Sequence, residues 1–523
     1  MNIRLADQIV IALGVVVLLV IGGISSRRSG TDEGYFFAGR SMPAWVVGFS
    51  LMATIVSSST FLFLPAFTFG ESNWRNGLNP ITYIPAVLFV VVLIIPFYRA
   101  ARVQSAYEYL EHRFGLWARL YAAACFVLFH FVRTGLVLFG VSLAIKSILG
   151  MDDASLPQII IIGGILVSAY AIVGGLQAVI WTDVFQGIAL IGGGLICLPV
   201  IVSQLPGGFT ELFSVAVADN KFDLGSTELT LTEKTIWAYV CAEFVLFLHF
   251  LVTDQTNVQR YCAAKSDRAA TKAAVIGCCL AVPTWLYFLF LGTCLYVFVK
   301  VVPNTGLQDL DSNEIFPQFI LTQVPPGLAG LVLTGLLASA MSTLDSSINA
   351  TSATVTIDFY KRLWVKDRDP RHYANVGKLV SLLFSLVMIA IACGIHYYRI
   401  SETTLDDLQR MLLSIFSGGL LSLFLLGFLT RRVDSRAAIT ATVTALALIC
   451  GWMFMDTPFA KEQFPKLAAA MPGNFWVSVF ANLLLFGVAY TLSLFIGSRH
   501  GKSLAGLTVW RQDSDKPDAL PKE

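Results

Sequence analysis

Apolar runs of membrane-crossing length recur from one end of this chain to the other, at 7–26, 43–69, 81–98, 120–149, 156–173, 178–202, 236–252, 273–300, 327–359, 379–397, 411–429, 437–455 and 475–496. As helices, each spans roughly 30 Å of hydrocarbon. Inside a bilayer every backbone N–H and C=O needs an internal partner, so these thirteen runs predict an all-α integral membrane protein. Composition agrees, because 56% of the 523 residues are hydrophobic, 13% are charged and the mean hydropathy is +0.71. A formal net charge of +2 gives no electrostatic footprint for a nucleic-acid partner. The nine cysteines are scattered, mostly within apolar runs, and none forms a C-x-x-C pair, which argues for small-residue packing and against a metal or disulfide framework.

The first run has no A-x-A cleavage site and is followed by a basic loop, so it reads as an anchor and not as a removed signal peptide. Orientation follows from arginine and lysine in the short connections. Arg27, Arg28 and Arg40, then Arg99, Arg102, Arg113 and Arg119, then Arg260, Lys265, Arg268 and Lys272, then Lys361, Arg362, Lys366, Arg368 and Arg371, then Arg431, Arg432 and Arg436 fall on one side. Opposite them, Met151, Asp152 and Asp153 form a connection without basic residues, and Asp309 and Asp311 make another acidic. The positive-inside rule then sets the N-terminus outside and the C-terminal tail in the cytoplasm, in a plasma membrane that for a bacterium is the inner one. The longest loop, 204–234, and the tail after 497 are too short for a catalytic domain, so the chain is read as working within the bilayer and not as an enzyme.

One run is unlike the rest. Residues 338–349 read ASAMSTLDSSIN. Ser339, Ser342, Ser346 and Asn349 recur at helical spacing and draw a polar stripe, with Asp345 at its border. Hydroxyls alone also suit a packing helix that bonds back to its own carbonyls, but a carboxylate at membrane depth is expensive unless paired and marks a path or a site. A second irregularity lies in the run 43–69, where Ala53, Thr54, Ile55, Val56, Ser57, Ser58, Ser59 and Thr60 make a poor helix former, with Pro65 one turn beyond. Unwinding there either kinks the helix or frees backbone carbonyls, and carbonyls together with hydroxyls from a neighbouring helix are what a small hard cation such as Na⁺ takes.

The string Gly174-Gly175-Leu176-Gln177-Ala178-Val179-Ile180-Trp181-Thr182-Asp183 resembles the GGLxAVxWTD signature of the sodium:solute symporter family. Tyr35 to Arg40, Thr253-Asp254-Gln255 through Val258-Gln259-Arg260, Met341-Ser342-Thr343-Leu344, and Leu426-Gly427 before Arg431-Arg432 follow in the family's order over nearly the whole chain. The resemblance implies a leucine-transporter-type fold with two inverted five-helix repeats around a midplane site. On that scheme 1–42 is a first transmembrane helix with a cytoplasmic loop, 43–203 the first repeat, 204–234 an extracellular loop, 235–432 the second repeat, 433–498 two further helices and 499–523 a cytoplasmic tail. The family's main sodium site matches Ala53, Val56, Ser339, Ser342 and Thr343 here. A second sodium site, known in sialic-acid members, matches Asp183, Ser342, Asp345 and Ser346. Those members have serine where Asp345 stands; the extra carboxylate either tightens the site or pairs with a cation of the protein, and Asp183 is also open to a role as a cap or gate residue.

For the solute, Arg133 lies mid-run, where an unpaired guanidinium is costly. It either forks onto a substrate carboxylate, as a similar arginine does in sialic-acid symporters, or pairs with Glu243 or Asp345. Ser57 and Thr60 match hydroxyls that hold the carboxylate in those relatives, and Gln409 resembles a glutamine near the substrate. Ile55, Thr60 and Phe247 stand where sugar-carrying members have amides, which removes their hexose site. Phe247, Phe250 and Trp74 suit either gates over the solute or packing, while Glu243 and His249 suit a cavity lining, a proton relay or ordinary polar burial. The expectation is a sodium-coupled symporter importing a small polar solute, with a carboxylate-bearing one such as a sialic acid or a monocarboxylate favoured over a sugar or polyol, or a non-transporting sensor of the same fold. Its partners are the solute, sodium ions as co-transported cargo with no organic cofactor, and the lipid bilayer; the oligomeric state is left open. A single polar stripe does not suggest the ring of equivalent ligands of a channel, and for an intramembrane hydrolase the sequence singles out no histidine at the depth of the serines, while Asp345 alone is not a dyad.

Overall fold

The computed structural model describes residues 4–25, 30–70, 74–101, 103–398, 413, 418–496, 504 and 506–510. Among them there is no strand; the one pairing of that kind is an isolated bridge between Met42 and Ala264. The helices are α1 (Leu5–Ser25), α2 (Asp32–Phe37), α3 (Ala44–Ile55), α4 (Ser58–Phe69), α5 (Arg75–Ala101), α6 (Ala106–Phe114), α7 (Leu116–Leu149), α8 (Leu156–Gln204) and α9 (Gly208–Ala218). They continue with α10 (Ile236–Thr253), α11 (Gln255–Ala263), α12 (Asp267–Val301), α13 (Ser312–Gln323), α14 (Leu328–Trp364), α15 (Pro370–Tyr397), α16 (Leu420–Leu429), α17 (Ser435–Asp456) and α18 (Val477–Ile496), with two short helices, Pro458–Gln463 and Pro465–Ala470, between α17 and α18.

By length and composition ten of the described helices are able to cross a membrane, or eleven with α3 and α4 taken as one bent span. That is fewer than the thirteen runs of the sequence, and α8 is one reason. It merges two of those runs across Gly175, whose φ of 59° and ψ of −160° are not helical. The Gln186 amide Nε2 lies 3.4 Å from the Tyr170 hydroxyl, 16 positions away, which a straight helix would separate by about 24 Å. The chain therefore turns sharply back at Gly175. Only glycine fits there, because a Cβ would sit 2.6 Å from the Tyr35 carbonyl oxygen as well as demanding a left-handed φ.

Helix α14 is the centre of the molecule. Every side chain of residues 338–354 is buried, so its polar residues form no lipid-facing stripe; they are enclosed on all sides. Close approach to α8 depends on Gly335, where a Cβ would come within 2.6 Å of the Ala189 carbonyl oxygen. The start of α14 is held from outside by α1: Asp7 Oδ1 accepts hydrogen bonds from the backbone N–H groups of Gly327 and Gly330, both at 2.7 Å. At its far end, a π-helical stretch Val355–Trp364 carries Asp358, which accepts from Arg119 Nε at 2.7 Å and from Ser105 Oγ at 2.5 Å.

Three of the arginines counted on the basic side are buried inside the fold. Arg119 lies against Asp358 and Glu111, Arg113 donates to the Thr430 carbonyl at 3.0 Å, and Arg260 on α11 is completely buried. Hydropathy counts charges without seeing that an inward-facing carboxylate from a distant helix neutralises them. The segment 204–234 likewise holds the short helix α9 and sends Lys221 to the end of α4, where its ammonium donates to the carbonyls of Phe69 and Gly70 at 2.9 and 2.7 Å.

Candidate ion and solute site

The break expected near residue 55 is present. The N–H of Val56 closes the last turn of α3 on the Met52 carbonyl at 2.8 Å, after which Val56 (φ −84°, ψ 92°) and Ser57 (φ −95°, ψ −179°) are extended. Residues 60–69 then leave at 51° to α3. Ser57 no longer follows the helical path, so the carbonyl of Ala53 is open to a side-chain donor. It accepts from Ser342 Oγ at 3.0 Å. The same hydroxyl lies 3.0 Å from the Ser339 carbonyl, and Thr343 Oγ1 lies 3.4 Å from that carbonyl. Ser339 Oγ turns away to the Leu336 carbonyl at 2.7 Å, which leaves the Ser339 backbone oxygen as its contribution to the cluster. Val56 is buried at the break itself. The structure thus brings Ala53, Ser339, Ser342 and Thr343 together as uncharged oxygens from two helices, the donor chemistry that a small alkali cation requires.

A charged cluster adjoins it. Arg260 Nη2 lies 2.9 Å from Asp183 Oδ2 and 2.6 Å from Ser346 Oγ, its Nε donates to Ser50 Oγ at 2.7 Å, and its Nη1 donates to the Thr256 carbonyl at 2.7 Å. Ser50 Oγ in turn donates to Asp183 Oδ2 at 2.5 Å. Asp345 takes a hydrogen bond from the Tyr170 hydroxyl at 2.7 Å and longer ones from Thr182 and Ser346, both at 3.4 Å. Two buried carboxylates thereby face one guanidinium. Among the described residues Asp183 Oδ1 has no hydrogen-bond partner although it is fully buried. Asp183 is an interior residue in an ion pair, not a solvated cap, and Asp345 is engaged with α8 and not with Arg133.

The residues expected to hold solute are less concentrated. The Arg133 guanidinium lies over the rings of Phe129 at 5.8 Å and Phe250 at 5.4 Å, and among the described residues it has no hydrogen bond or ion pair. One turn earlier on α7, His130 lies between Ser347 at 3.0 Å and Asp254 at 3.3 Å, so a histidine does stand beside a serine of α14, against the expectation from sequence, because helix packing sets the two at one depth; the Ser347 hydroxyl donates to the Thr343 carbonyl. Phe247 packs in an aromatic group with Tyr83 at 5.0 Å and Trp285 at 5.6 Å. Trp74 is fixed by a hydrogen bond from its indole to Thr293 at 3.0 Å and by the Phe222 ring. Ser57 and Thr60 stand at the start of α4, and the Thr60 N–H closes on the Ser57 carbonyl at 2.9 Å. No hydrogen bond among the described residues joins these side chains to Arg133. Gln409 lies outside the described residues.

A model of the sodium:solute symporter family matches residues 35–445, most of the chain and both clusters. The chain belongs to the sodium:solute symporter family. Among curated proteins it is 29% identical over 433 residues to the sodium/sialic acid symporter SiaT of Proteus mirabilis, covering 83% of this chain and 86% of that one. A similar match, 29% over 433 residues, is to the sodium/sialic acid symporter NanT of Aliivibrio fischeri, covering 83% and 84%. A substrate-bound, outward-open structure of a Na⁺-coupled sialic acid symporter superposes with a TM-score of 0.85 at 25% identity, over 95% of this chain and 99% of that one. Mhp1, a nucleobase-cation-symport-1 family transporter, shares the fold, with a TM-score of 0.53 at 16% identity over 87% and 94%.

For this sodium:solute symporter, sequence reasoning singled out the polar helix and the broken one but missed the partner of Asp183. Arg260 was visible as the last residue of the Thr253 to Arg260 string, but nothing in the sequence ties it to an aspartate 77 positions earlier. His130 and Tyr170 were also passed over, each a lone polar group in an apolar run.

Proposed function

We propose that this symporter couples sodium to the import of a sialic acid. The observation that carries the reading is Arg133: a guanidinium in an apolar helix, lying over two rings and with no hydrogen bond or ion pair among the described residues, the charge of Asp254 acting on it only from a distance, fits an anion delivered from outside the protein. Likeness to two sialic acid symporters over more than four-fifths of the chain supports the same solute. In this reading Ser57, Thr60, Phe247 and Gln409 surround the solute with Arg133.

The first sodium ion is assigned to Ala53, Val56, Ser339, Ser342 and Thr343. It takes the place of the hydrogen bond from Ser342 to the Ala53 carbonyl as the link between the two helices, with the hydroxyl keeping its proton and turning it aside. A second is assigned to Asp183, Ser342, Asp345 and Ser346, where two carboxylates outnumber the one guanidinium and a further positive charge balances the cluster. Bound ion and bound solute then raise each other's affinity by the same factor. Two sodium ions with one carboxylate move one net charge, and 100 mV contributes about 2.3 kcal/mol to its entry. A tenfold sodium gradient adds roughly 1.4 kcal/mol per ion.

We also propose thirteen crossings, with α8 counted on each side of Gly175 and the run 411–429 ending in α16, arranged as inverted repeats over 43–203 and 235–432. The N-terminus is then outside and the tail cytoplasmic, in a plasma membrane. Proteoliposomes test the reading: an inward sodium gradient should drive concentrative uptake of N-acetylneuraminate, and potassium should not replace sodium. Binding without uptake or counterflow would instead identify a sensor.

A further inference from the structure

His130 ties the helix that bears the solute arginine to both walls of the ion cluster. It is completely buried on α7, and its neighbour one turn along the same face is Arg133. Its Nδ1 lies 3.0 Å from Ser347 Oγ, on α14 directly after Ser346. That serine donates in turn to the Thr343 carbonyl at 2.8 Å. On the other side of the ring, Nε2 lies 3.3 Å from Asp254 Oδ2. Asp254 caps α11, its Oδ1 accepting from the Thr256 N–H at 2.8 Å and from the Thr256 hydroxyl at 2.5 Å. Further along α11, Arg260 inserts its guanidinium between Asp183 and Ser346. One imidazole therefore contacts the helix of the uncharged oxygens and the origin of the helix that carries the cluster's cation.

Phe250 adds a second strand to this connection. Its ring lies beneath Arg133, and its carbonyl accepts from Asn257 Nδ2 at 3.0 Å, again on α11. An anion that draws the Arg133 guanidinium off the Phe129 and Phe250 rings pulls on the turn of α7 that holds His130.

We infer that His130 is the positioning residue through which solute at Arg133 and sodium at residues 342–346 influence one another, an inference that rests on the anionic-solute reading above. The ring touches neither solute nor ion. It holds Ser347 and Asp254 at fixed separations from Arg133, so the arrangement favoured by one ligand is the arrangement the other finds ready.

The test measures N-acetylneuraminate affinity of the full-length protein in nanodiscs, at saturating sodium and with sodium replaced by potassium. In the unaltered protein sodium should tighten binding by about tenfold or more. His130→Phe keeps the ring's volume without its nitrogens and should bring that ratio to within about twofold of unity, while His130→Gln, which keeps one donor, should restore part of it. Thermal stabilisation by sodium alone should persist in both variants. Ser347→Ala, which leaves the imidazole in place, should also lower the ratio. If His130→Phe or Ser347→Ala weakens binding equally with and without sodium, the role is structural and the inference is overturned while the substrate reading stands. An unaltered protein that fails to bind N-acetylneuraminate in any condition overturns the substrate reading and this inference with it.

Discussion

Ser342 on α14 donates its hydroxyl to the carbonyl of Ala53 across 3.0 Å of space and 289 positions of sequence. The contact exists because α3 ends two residues later, leaving that carbonyl without its helical N–H partner. A sodium ion bound as proposed would take the place of this hydrogen bond, the hydroxyl keeping its proton and turning a lone pair to the cation, and in both arrangements the broken helix is held to α14.

Removing that hydroxyl should weaken ion binding directly. Ser342→Ala and Thr343→Ala are expected to raise the sodium concentration for half-maximal uptake by roughly tenfold each, the equivalent of about 1.4 kcal/mol. Sodium titration of uptake at fixed solute checks this. Unchanged sodium dependence in both variants would remove the two residues from the ligand set.

Asp183 and Arg260 should behave as a unit. Asp183→Asn removes the carboxylate bonded to a wholly buried guanidinium, leaving only the more distant charge of Asp345 to offset it, and is expected to lower stability by about 3 kcal/mol. Adding Arg260→Met should recover a large part of that loss, because the second change removes the uncompensated charge. Thermal unfolding in detergent reads both values, and simple additivity of the two losses would contradict the pairing.

Arg133 should separate binding from folding. With no hydrogen bond or ion pair to lose among the described residues, Arg133→Gln should change stability by less than about 1 kcal/mol. Sialate binding should nevertheless fall on the order of 100-fold, since two charge-assisted hydrogen bonds to a carboxylate disappear. A large drop in melting temperature would mark the residue as structural.

At the end of the protein where α14 becomes π-helical, Glu111 joins Arg119 at 2.8 Å and Arg362 through contacts of 2.5 and 2.8 Å. Burial pushes this carboxyl upward, but the hydrogen bonds and charges of Arg362 and Arg119 outweigh burial and hold it below its usual value. A carboxylate held low in the folded state contributes stability above the unfolded value of about 4.3 and loses it as pH falls through the lower folded value. Glu111→Gln should cost about 1–2 kcal/mol at neutral pH and flatten the acid limb of a stability profile, measured by unfolding between neutral pH and the acid range. An unaltered acid limb would exclude this network as its source.

Gly175→Ala forces a side chain into a left-handed φ and against the Tyr35 carbonyl. Loss of several kcal/mol and poor recovery of folded protein are expected, on the order of 3 kcal/mol from the backbone alone. A variant of normal stability would mean that the reversal tolerates another geometry.

Much of this was legible in the chain itself. Apolar run length sets which segments cross, because hydrocarbon demands an internally bonded backbone whatever the neighbours are. The β-branched and hydroxyl-rich residues 53–60 set where a helix breaks, and the twelve-residue polar run beginning at Ala338 sets which helix lies inside, since both follow from local conformational preference and transfer energy. What tertiary structure alone decided was pairing. Arg260 belongs to Asp183, 77 positions away, Arg119 to Asp358, 239 away, and Ser342 to Ala53. Each of these charges or hydroxyls looks the same to a hydropathy scale whether it meets solvent, lipid or a partner, and only the packing of helices brings the partner within 3 Å.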